Sequence, residues 1–369
     1  MNGKTCIICA SKMKRNGKTK AGKQRWRCSN CGYTTTHEIE SEHRDLNLFI
    51  SWLMSKKTQD EMPGGGRTFR RKTSKCWDYW ALPMVDDEVH KFVYIDGIHI
   101  GEYVILIACT DEYVVSWHLA KYENSSSWKA LMSRIAPPEV VICDGGLGFK
   151  KALNEVWPDV RVQRCLFHVS ASIKRKTTRK PKTLAGVELL TLANQLLHIE
   201  TVSQAYWWTE QFYNWCDFWK DELDRKISVN GKKQYQFKQL RAARSELAKL
   251  IRDGSLFMYL SPDLNSECSI PRTNNMIEGG VNSQIRAMIR VHRGMSTIRR
   301  IKAAFWWCYM HTECPLSTSE ILKRMPTDND IDILNSQYAT CKSQSVIPDE
   351  WGTGIQWSDF HAETPYPFY

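Results

Sequence analysis

The order of the apolar segments between residues 93 and 166 restricts the fold of this chain most. Three β-type runs follow one another with only short turn signals between them, which predicts an antiparallel meander. Two shorter apolar runs come next, each preceded by a helical segment. The five predicted strands span residues 93–100, 103–109, 113–120, 140–143 and 160–166, and the two predicted helices span 128–135 and 149–156.

This order of elements is that of a mixed sheet with helices on its faces, as in ribonuclease H-like domains. Residues 181–268 have no such β runs and show helical periodicity, so we expect an all-α insertion into this domain. Aromatic residues at helical spacing form a stripe in the insertion, which favours a buried core. The alternative is an aromatic platform for an unstacked base. The stripe consists of Trp208, Phe212, Trp215 and Trp219.

Two aspartates lie where an α/β core is expected to be apolar. Asp96 interrupts the first run (FVYIDGIHI), and Asp144 ends the fourth (VVICDGG). A buried carboxylate costs several kcal/mol unless it is paired or binds a metal. Asp-Gly commonly forms a hairpin turn, which is the alternative for both positions. Metal ligation is favoured because β-type residues continue after Asp96, and because α/β sheets bind ligands at the carboxyl ends of their strands.

A third acid, Glu278, lies in a predicted long helix after the insertion (TNNMIEGGVNSQIR), with apolar residues at Ile277, Val281 and Ile285. Two glycines follow Glu278, and each costs about 1 kcal/mol in a helix interior. A close approach to the sheet or to DNA would explain that cost. The alternative for Glu278 is an ordinary first-turn acid that the helix dipole favours.

The N-terminal segment, residues 1–37, contains two Cys-x-x-Cys pairs, Cys6 with Cys9 and Cys28 with Cys31, separated by eighteen residues. Four thiolates at this spacing predict a zinc ribbon with a structural Zn²⁺ ion and a β-hairpin between the pairs. The alternative is four buried thiols, but the segment has few apolar residues with which to bury them. Basic residues between the pairs are suited to contact phosphates.

Residues 38–88 are predicted to form a helix-turn-helix. The capping box Thr58–Glu61 (TQDE) starts a short helix after the first one, and Pro63 with the glycines that follow ends it. A basic third helix then suits the major groove of DNA. The alternative is a helical linker. The apolar face of the first helix consists of Leu46, Phe49, Ile50 and Leu53, and that of the third helix consists of Phe69, Thr73, Cys76, Trp77 and Trp80. The expected DNA-binding residues are Arg67, Arg70, Arg71 and Lys75.

The distribution of charge indicates the class of partner. Residues 313–369 contain nine acidic and three basic residues, so residues 1–312 carry +17 within the total formal charge of +11. Separate basic clusters indicate nucleic-acid binding, with a solvated basic surface as the alternative. We expect the acidic tail to be a solvated end. The chain shows no apolar run long enough for a membrane span and no signal-peptide core, so a cytoplasmic location is expected.

Residues 90–312 resemble the transposases of bacterial insertion sequences in the Mutator-like group of the DDE superfamily. The matching motifs are Asp96, DGGLGFKKAL with CLFH downstream, and TNNMIEGGVNSQIR with HRGM. Cys165 and His168 take the place of the family's Cys/Asp-x-x-His pair. The chain departs from the family at the two glycines after Glu278, where another residue is common.

The resemblance implies that Asp96, Asp144 and Glu278 hold two Mg²⁺ or Mn²⁺ ions for cleavage at transposon ends and joining to target DNA. Cys165 and His168 are expected either to be buried partners that orient the end of the second strand, or, in the case of His168, to contact the scissile phosphate. A zinc ion at this pair is excluded here because two ligands are too few. Basic residues beyond Glu278 are expected to hold the DNA backbone: Arg286, Arg290, His292 and Arg293.

The sequence therefore predicts an α/β protein in which a zinc ribbon and a helix-turn-helix precede an interrupted ribonuclease H-like sheet. Its partner is double-stranded DNA at the bacterial nucleoid, and two DNA ends imply a homodimer or larger assembly when it is active. The alternatives are a transposase-derived DNA-binding regulator without catalysis and a ribonuclease H-like structure-specific nuclease. The predicted segments are the zinc ribbon (1–37), the helix-turn-helix (38–88), the two parts of the catalytic domain (89–180 and 269–312), the α-helical insertion (181–268) and the acidic tail (313–369).

Overall fold

A computed structural model describes residues 5–6, 8–9, 11–264 and 269–342, and the chain divides into two compact units. Among these residues, the first unit comprises the chain up to Pro83 and from Ser283 onward, and the second comprises Met84–Asn282. The end of the predicted insertion (265–268) and the distal part of the predicted tail (343–369) lie outside the described residues.

The first unit begins with a three-stranded antiparallel sheet of β1 (Met13–Lys18), β2 (Gln24–Cys28) and β3 (Thr34–Thr36). Met13 pairs with Cys28 across β1 and β2, and both side chains are buried. The predicted hairpin between the cysteine pairs is therefore present. Gly32 follows the second pair with φ of +70°, a conformation that favours glycine over residues with a Cβ.

Two helices follow in the region predicted as a helix-turn-helix. Helix α1 (His37–Leu53) buries the predicted apolar face, and the capping box at Thr58 and Glu61 is present, but it starts only a 3-10 turn, Gln59–Glu61. Helix α2 (Gly65–Thr73) begins within the glycine run, after Gly64 at φ of +86°. Beyond Thr73, whose hydroxyl donates to the Phe69 carbonyl, the backbone tightens into a 3-10 helix, Ser74–Asp78. The predicted continuous third helix is thus split.

The second unit is built on a mixed five-stranded sheet. Strands β4 (Phe92–Ile100), β5 (Tyr103–Cys109) and β6 (Val114–Ala120) form the predicted antiparallel meander. Strands β7 (Val140–Cys143) and β8 (Arg161–Arg164) continue the sheet in parallel with β4, giving the order β6-β5-β4-β7-β8.

Helices α3 (Ser125–Met132) and α4 (Leu147–Val156) connect β6 to β7 and β7 to β8. Their apolar side chains pack against alternate residues of the sheet, because successive strand residues point to opposite faces. Among the contributors to this core are Val93, Ile95, Leu106, Trp128 and Phe149.

The insertion is mainly helical, but the prediction that it is all-α is wrong. Helix α5 (Leu166–Thr177) precedes the predicted insertion. Within it, α6 (Leu184–Gln195), α7 (Val202–Phe218) and α8 (Lys220–Leu223) are followed by an antiparallel hairpin and by α9 (Lys238–Arg252). The hairpin pairs β9 (Lys226–Val229) with β10 (Lys232–Tyr235).

The turn of this hairpin explains why it forms. Asn230 and Gly231 both have positive φ, at 51° and 74°, as the tight turns of two-residue hairpins require. Both strands are only four residues long and largely exposed, and β10 has no apolar alternation. The alternation in β9 (Lys-Ile-Ser-Val) is at the lower limit of length for a strand signal. The Asn-Gly pair was the signal available in the sequence.

The aromatic stripe on α7 is core, as predicted. Trp208, Phe212 and Trp215 are buried, and the indole groups of both tryptophans donate to backbone carbonyls of α6. Trp219, one residue beyond α7, is only partly buried and donates to Glu188. These three buried rings leave no face for a stacked base, so the alternative of a platform on this stripe is wrong.

The segment that carries Glu278 is a π-helix, Met276–Asn282, followed directly by α10 (Ser283–Val291). The predicted close approach of its glycines to the sheet is wrong. A Cβ on Gly279 would meet only Asn275, and a Cβ on Gly280 only Met276. Short π-helical turns are rare and are frequent at functional sites.

The first unit is completed by α11 (Thr297–Met310), α12 (Thr318–Arg324) and α13 (Asp328–Lys342). The expectation that the tail is solvated is wrong for the start of this segment, because Ile321 and Ile331 are buried. Within the described ranges, no helix combines the length and hydropathy that a membrane span requires.

A buried ion pair ties the tail to the rest of this unit. The Nζ atom of Lys302, whose side chain is 1% exposed, lies 2.6 Å from both Asp328 Oδ1 and the Trp77 carbonyl. The indole of Trp80 also donates to Asp328 Oδ1, at 2.8 Å. Asp328 therefore supplies the counter-ion of a lysine that is almost fully removed from water.

Replacing Asp328 by alanine is expected to lower the free energy of unfolding of the first unit by about 3–5 kcal/mol, because it leaves a buried charge uncompensated. Urea denaturation followed by tryptophan fluorescence measures the change. Lys323→Ala, which breaks an exposed pair with Glu320, should cost less than about 1 kcal/mol. The double variant Lys302→Met/Asp328→Leu should recover most of the loss. Equal effects of Asp328→Ala and Lys323→Ala would contradict the assignment.

Candidate catalytic site and cysteine cluster

Asp96 lies within a strand rather than in a turn. Strand β4 continues to pair with β5 beyond Asp96 as far as Ile100, so the hairpin-turn alternative is wrong at this position. Its Oδ2 accepts a hydrogen bond of 2.7 Å from Asn282 Nδ2. Burial raises the pKa of Asp96 to about 7, and the negative charges of Asp144, Glu278 and Glu123 act in the same direction.

Asp144 is exposed and directly follows β7. Because Tyr94 pairs with Ile142 in the parallel register of β4 and β7, Asp96 and Asp144 are each two residues beyond a paired position, at the same edge of the sheet. Asp144 also forms the turn that follows, since its Oδ1 accepts from the Gly146 amide at 3.1 Å. The turn alternative is therefore partly correct for Asp144.

A glycine is required at position 145, between Asp144 and Gly146, because the Arg164 side chain approaches its backbone closely. Gly145 has φ of +87°, and the guanidinium of Arg164 occupies the space that a Cβ would take. Arg164 also donates to the Asp144 carbonyl. The turn after β7 is thus held by an arginine from the neighbouring strand β8.

Glu278 lies beside the predicted Cys-x-x-His pair. Its Oε1 is 3.4 Å from His168 Nδ1, and one ligand atom each from Cys165, His168 and Glu278 lie within 4.8 Å of one another. The argument that excluded a metal ion at Cys165 and His168 is therefore wrong, because Glu278 provides a third donor.

Cys165 and His168 occupy different environments. Cys165 is fully buried, its amide donates to the Cys143 carbonyl at the end of β7, and its Sγ accepts from the Asn274 amide at 3.1 Å. His168 is about one-third exposed. Hydrogen bonding to Cys165 raises the pKa of His168 to about 9, and the charges of Glu278 and Asp144 add to this effect against the opposing effect of burial.

Asp96, Asp144 and Glu278 lie close enough for the charges of Asp144 and Glu278 to raise the pKa of Asp96. Their carboxylate oxygens do not all lie within 4.8 Å of one another, as three ligands of one ion would. Groups of three or more donors within 4.8 Å occur three times in the described part of the chain, and Asp96, Asp144 and Glu278 do not form one of them. The three groups are Cys6 with Cys9, Cys28 and Cys31; Cys165 with His168 and Glu278; and Asp86 with Glu88 and His90.

Two residues of this region were missed by the sequence reasoning. Asn282 contacts Asp96, and it follows Glu278 by four residues, so its helical spacing was a usable signal. Glu123, whose charge raises the pKa of Asp96, lies in the loop after β6 and forms an ion pair of 3.1 Å with His99. Nothing in the local pattern distinguishes Glu123 from other loop acids.

The predicted DNA-binding residues belong to the first unit, and most of them are exposed. His292 is the exception, because it is 5% exposed, contacts the Leu53 carbonyl through Nε2 at 3.0 Å and packs on Trp52. Its predicted contact with DNA is therefore wrong. The exposed residues are Arg67, Arg70, Arg71 and Lys75 near α2, and Arg286, Arg290 and Arg293 on and after α10.

The four N-terminal cysteines converge as predicted. Cys6 Sγ lies 3.5 Å from Cys31 Sγ, and Cys9 Sγ lies 3.4 Å from Cys28 Sγ. Hydrogen bonding to Ser11 lowers the pKa of Cys9 to about 6, which favours the thiolate that binds metals. Four sulfurs in one cluster fit a tetrahedral Zn²⁺ ion with no open position.

Comparisons with known proteins agree with the motifs. Residues 105–224 match the family described as "Transposase, Mutator family", a segment that includes Asp144, Cys165 and His168 but neither Asp96 nor Glu278. The chain is 30% identical over 170 residues to the transposase for insertion sequence element IS6120 of Mycolicibacterium smegmatis, covering 42% of this chain and 48% of that protein.

A second relative is the transposase for insertion sequence element IS905 of Lactococcus lactis subsp. lactis, which is 29% identical over 97 residues. This match covers 23% of the chain and 25% of that protein. The chain thus spans about half or less of the length of these relatives. Together with the family match, they confirm the resemblance to the Mutator-like transposases of bacterial insertion sequences.

Replacing Cys28 by serine should remove zinc from the purified full-length protein, because three thiolates bind the ion more weakly than four. Zinc content measured by atomic emission should fall from about one equivalent per chain to near zero. The second unit should still unfold at its original temperature. Cys314→Ser, which changes an exposed cysteine outside the cluster, should keep its zinc. Unchanged zinc in Cys28→Ser would rule out a four-cysteine site.

The raised pKa of Asp96 predicts a pH dependence of stability in EDTA. Between about pH 4 and 7 the folded chain keeps a proton that the unfolded chain releases, so stability falls as pH rises through this window. The slope from one such group is at most about 1.4 kcal/mol per pH unit. Denaturant unfolding at several pH values should show that Asp96→Asn loses this slope, whereas Asp159→Asn, at an exposed position, retains it. Parallel profiles for wild type and Asp96→Asn would contradict the shift.

Proposed function

We propose that this chain is a DNA transposase that cleaves the ends of its insertion sequence and joins them to target DNA. The observation that carries the proposal is the partly buried carboxylate of Asp96, held inside a strand beside the charges of Asp144 and Glu278. A module that only binds DNA gains nothing from such a costly arrangement. The antiparallel meander extended by two parallel strands supports a ribonuclease H-like domain, in which we expect this chemistry.

The donors at this site suit a hard divalent cation. Asp96, Asp144 and Glu278 offer carboxylate oxygens. Burial raises the pKa of Asp96, the charges of the other two acids add to this effect, and a cation bound between the acids would relieve both costs. Two buried amide oxygens nearby, Oδ1 of Asn274 and of Asn282, have no hydrogen-bond partner in the part of the chain that the structure describes. Oxygen ligands favour Mg²⁺ or Mn²⁺, which would activate the attacking oxygen and stabilise the leaving one.

The remaining residues of the site have distinct parts in the proposal. Protonated His168, beside Glu278 and partly exposed, is placed to contact a DNA phosphate. Cys165 holds the end of β7 because its backbone amide donates a hydrogen bond to the Cys143 carbonyl, which positions Asp144. The close triad of Cys165, His168 and Glu278 supports a direct link between this pair and the catalytic acid.

The first unit is proposed to hold the DNA. Its cysteine cluster forms a zinc ribbon with exposed basic residues on β1 and β2, and α1 and α2 provide a helix-turn-helix-like element. Exposed arginines on α2 and α10 neutralise phosphates without reading sequence. Because two transposon ends react together, the active form contains at least two copies at the bacterial nucleoid.

Two other functions are less well supported. A transposase-derived regulator would need the DNA-binding unit, but not the partly buried Asp96 in β4. A structure-specific nuclease of the same fold would need the acids, but neither the cysteine cluster nor the basic helices of the first unit.

Purified protein with Mg²⁺ or Mn²⁺ should cleave duplex DNA that carries the terminal inverted repeats flanking its own coding region. Denaturing gels of labelled ends measure the cut. Asp96→Asn should reduce cleavage to the level seen in EDTA while still binding the ends, because it removes a metal ligand and not a DNA contact. The control Asp159→Asn should cleave normally.

Three outcomes would contradict the proposal. Cleavage by Asp96→Asn at the wild-type rate would disprove the assignment of the acids. Equal cleavage of branched DNA or RNA–DNA hybrids without the repeats would favour the nuclease. Tight end binding with no cleavage in either metal would favour the regulator.

A further inference from the structure

Two buried asparagines flank the catalytic acid proposed above. Asn274 lies four residues before Glu278 and Asn282 four residues after it, and both side chains are fully buried. Asparagine is mostly exposed in proteins, so a symmetric pair of buried amides around one acid requires a physical reason.

The two asparagines tie the Glu278 segment to consecutive residues of β4. Asn274 Nδ2 donates to the Ile95 carbonyl at 3.2 Å, and Asn282 Nδ2 donates to the Asp96 carboxylate at 2.7 Å. The Glu278 amide in turn donates to the Asn274 carbonyl at 3.2 Å. The two contacts to β4 hold the helical segment in one register along the strand.

The chemistry of the second contact suits an amide better than other side chains. A buried carboxylate needs a donor, and the donor of Asn282 adds no positive charge that would compete with a bound cation. An aspartate at the same position would add a fourth negative charge to the site. A leucine would leave Asp96 Oδ2 without this donor.

The cost of the arrangement indicates selection for function rather than for stability. Among the described residues, the Oδ1 atoms of Asn274 and Asn282 have no hydrogen-bond partner, and each such buried atom costs about 1–3 kcal/mol. Apolar residues of similar volume would avoid that cost. Unsatisfied buried groups in native structures are commonly associated with functional sites.

We propose that Asn282 is a positioning residue that orients the Asp96 carboxylate toward Glu278, so that one cation is held by acids from a strand and from a helix. Asn274 holds the other end of the same segment. This inference rests on the proposed function, because it assumes that the cation site includes Asp96.

The test is Mn²⁺ binding to the full-length protein, measured by isothermal titration calorimetry without DNA. Asn282→Leu keeps the branched shape at a larger volume and removes the donor, and Asn282→Ala removes the donor without any risk of a clash. Residues that orient metal ligands typically contribute about 10- to 100-fold in affinity, so each variant should bind Mn²⁺ at least about 10-fold more weakly. Asn154→Leu, at an exposed position of α4 in the same unit, should bind normally.

Melting in EDTA separates positioning from a purely structural role. A structural role would lower the melting temperature of the variants and leave the Mn²⁺ affinity of the folded protein unchanged. In cleavage assays the positioning role predicts a lower kcat with an unchanged KM for the DNA ends. If Asn282→Leu does not fold, the affinity of Asn282→Ala decides.

Asp96→Asn makes the two possible failures distinguishable. If Asp96→Asn binds Mn²⁺ as tightly as wild type, the proposed cation site itself is wrong. If Asp96→Asn loses binding while both Asn282 variants keep wild-type affinity, the cation site stands and the role of Asn282 is overturned.

Discussion

Partial burial of the Asp96 charge in the middle of β4 is the constraint on which the second unit depends. Carboxylates lose several kcal/mol of hydration when they are removed from water, and this one also faces the charges of Asp144 and Glu278. Asn282 donates a neutral hydrogen bond to this carboxylate. Asn274 and Asn282, on either side of Glu278, also attach the π-helical segment to β4. A sheet that served only as a scaffold would place a residue such as valine here. The arrangement becomes favourable when a cation joins the acids, which is the basis of the proposed transposase activity.

The first unit obeys a different constraint. Its N-terminal sheet buries only a few apolar residues, so we expect its stability to depend on an ion that the four converging sulfurs could bind. Elsewhere in this unit the buried Lys302 requires Asp328, which brings an acidic segment from the C-terminal part of the chain into the core. The excess of acids after residue 312 therefore has two parts. Asp328 has a structural role, and the acids beyond residue 342 are outside the described residues.

Several features could be predicted because the responsible interactions are local. Alternating and continuous apolar runs predicted every strand of the five-stranded sheet to within a few residues, since burial on one or both faces determines these patterns. The capping box at Thr58 and the aromatic core of α7 were predicted for similar reasons. The prediction failed where short exposed strands are held by their turn, as at Asn230 and Gly231, and where helical spacing does not distinguish an α-helix from a π-helix, as at Glu278.

The amino-acid sequence by itself determined which groups can bind metal ions or take part in catalysis. These are four cysteines at metal-binding spacing, acids in apolar surroundings, and a Mutator-like set of motifs. These properties depend on residue type and short spacing, which the chain carries whatever its tertiary structure. Only the tertiary structure decided which of these groups meet. It paired Asn282 with Asp96 and Glu278 with His168, and it placed His292 against Trp52 rather than on the surface. Such contacts join residues as many as 240 positions apart, and their formation depends on packing of the whole unit rather than on any local pattern.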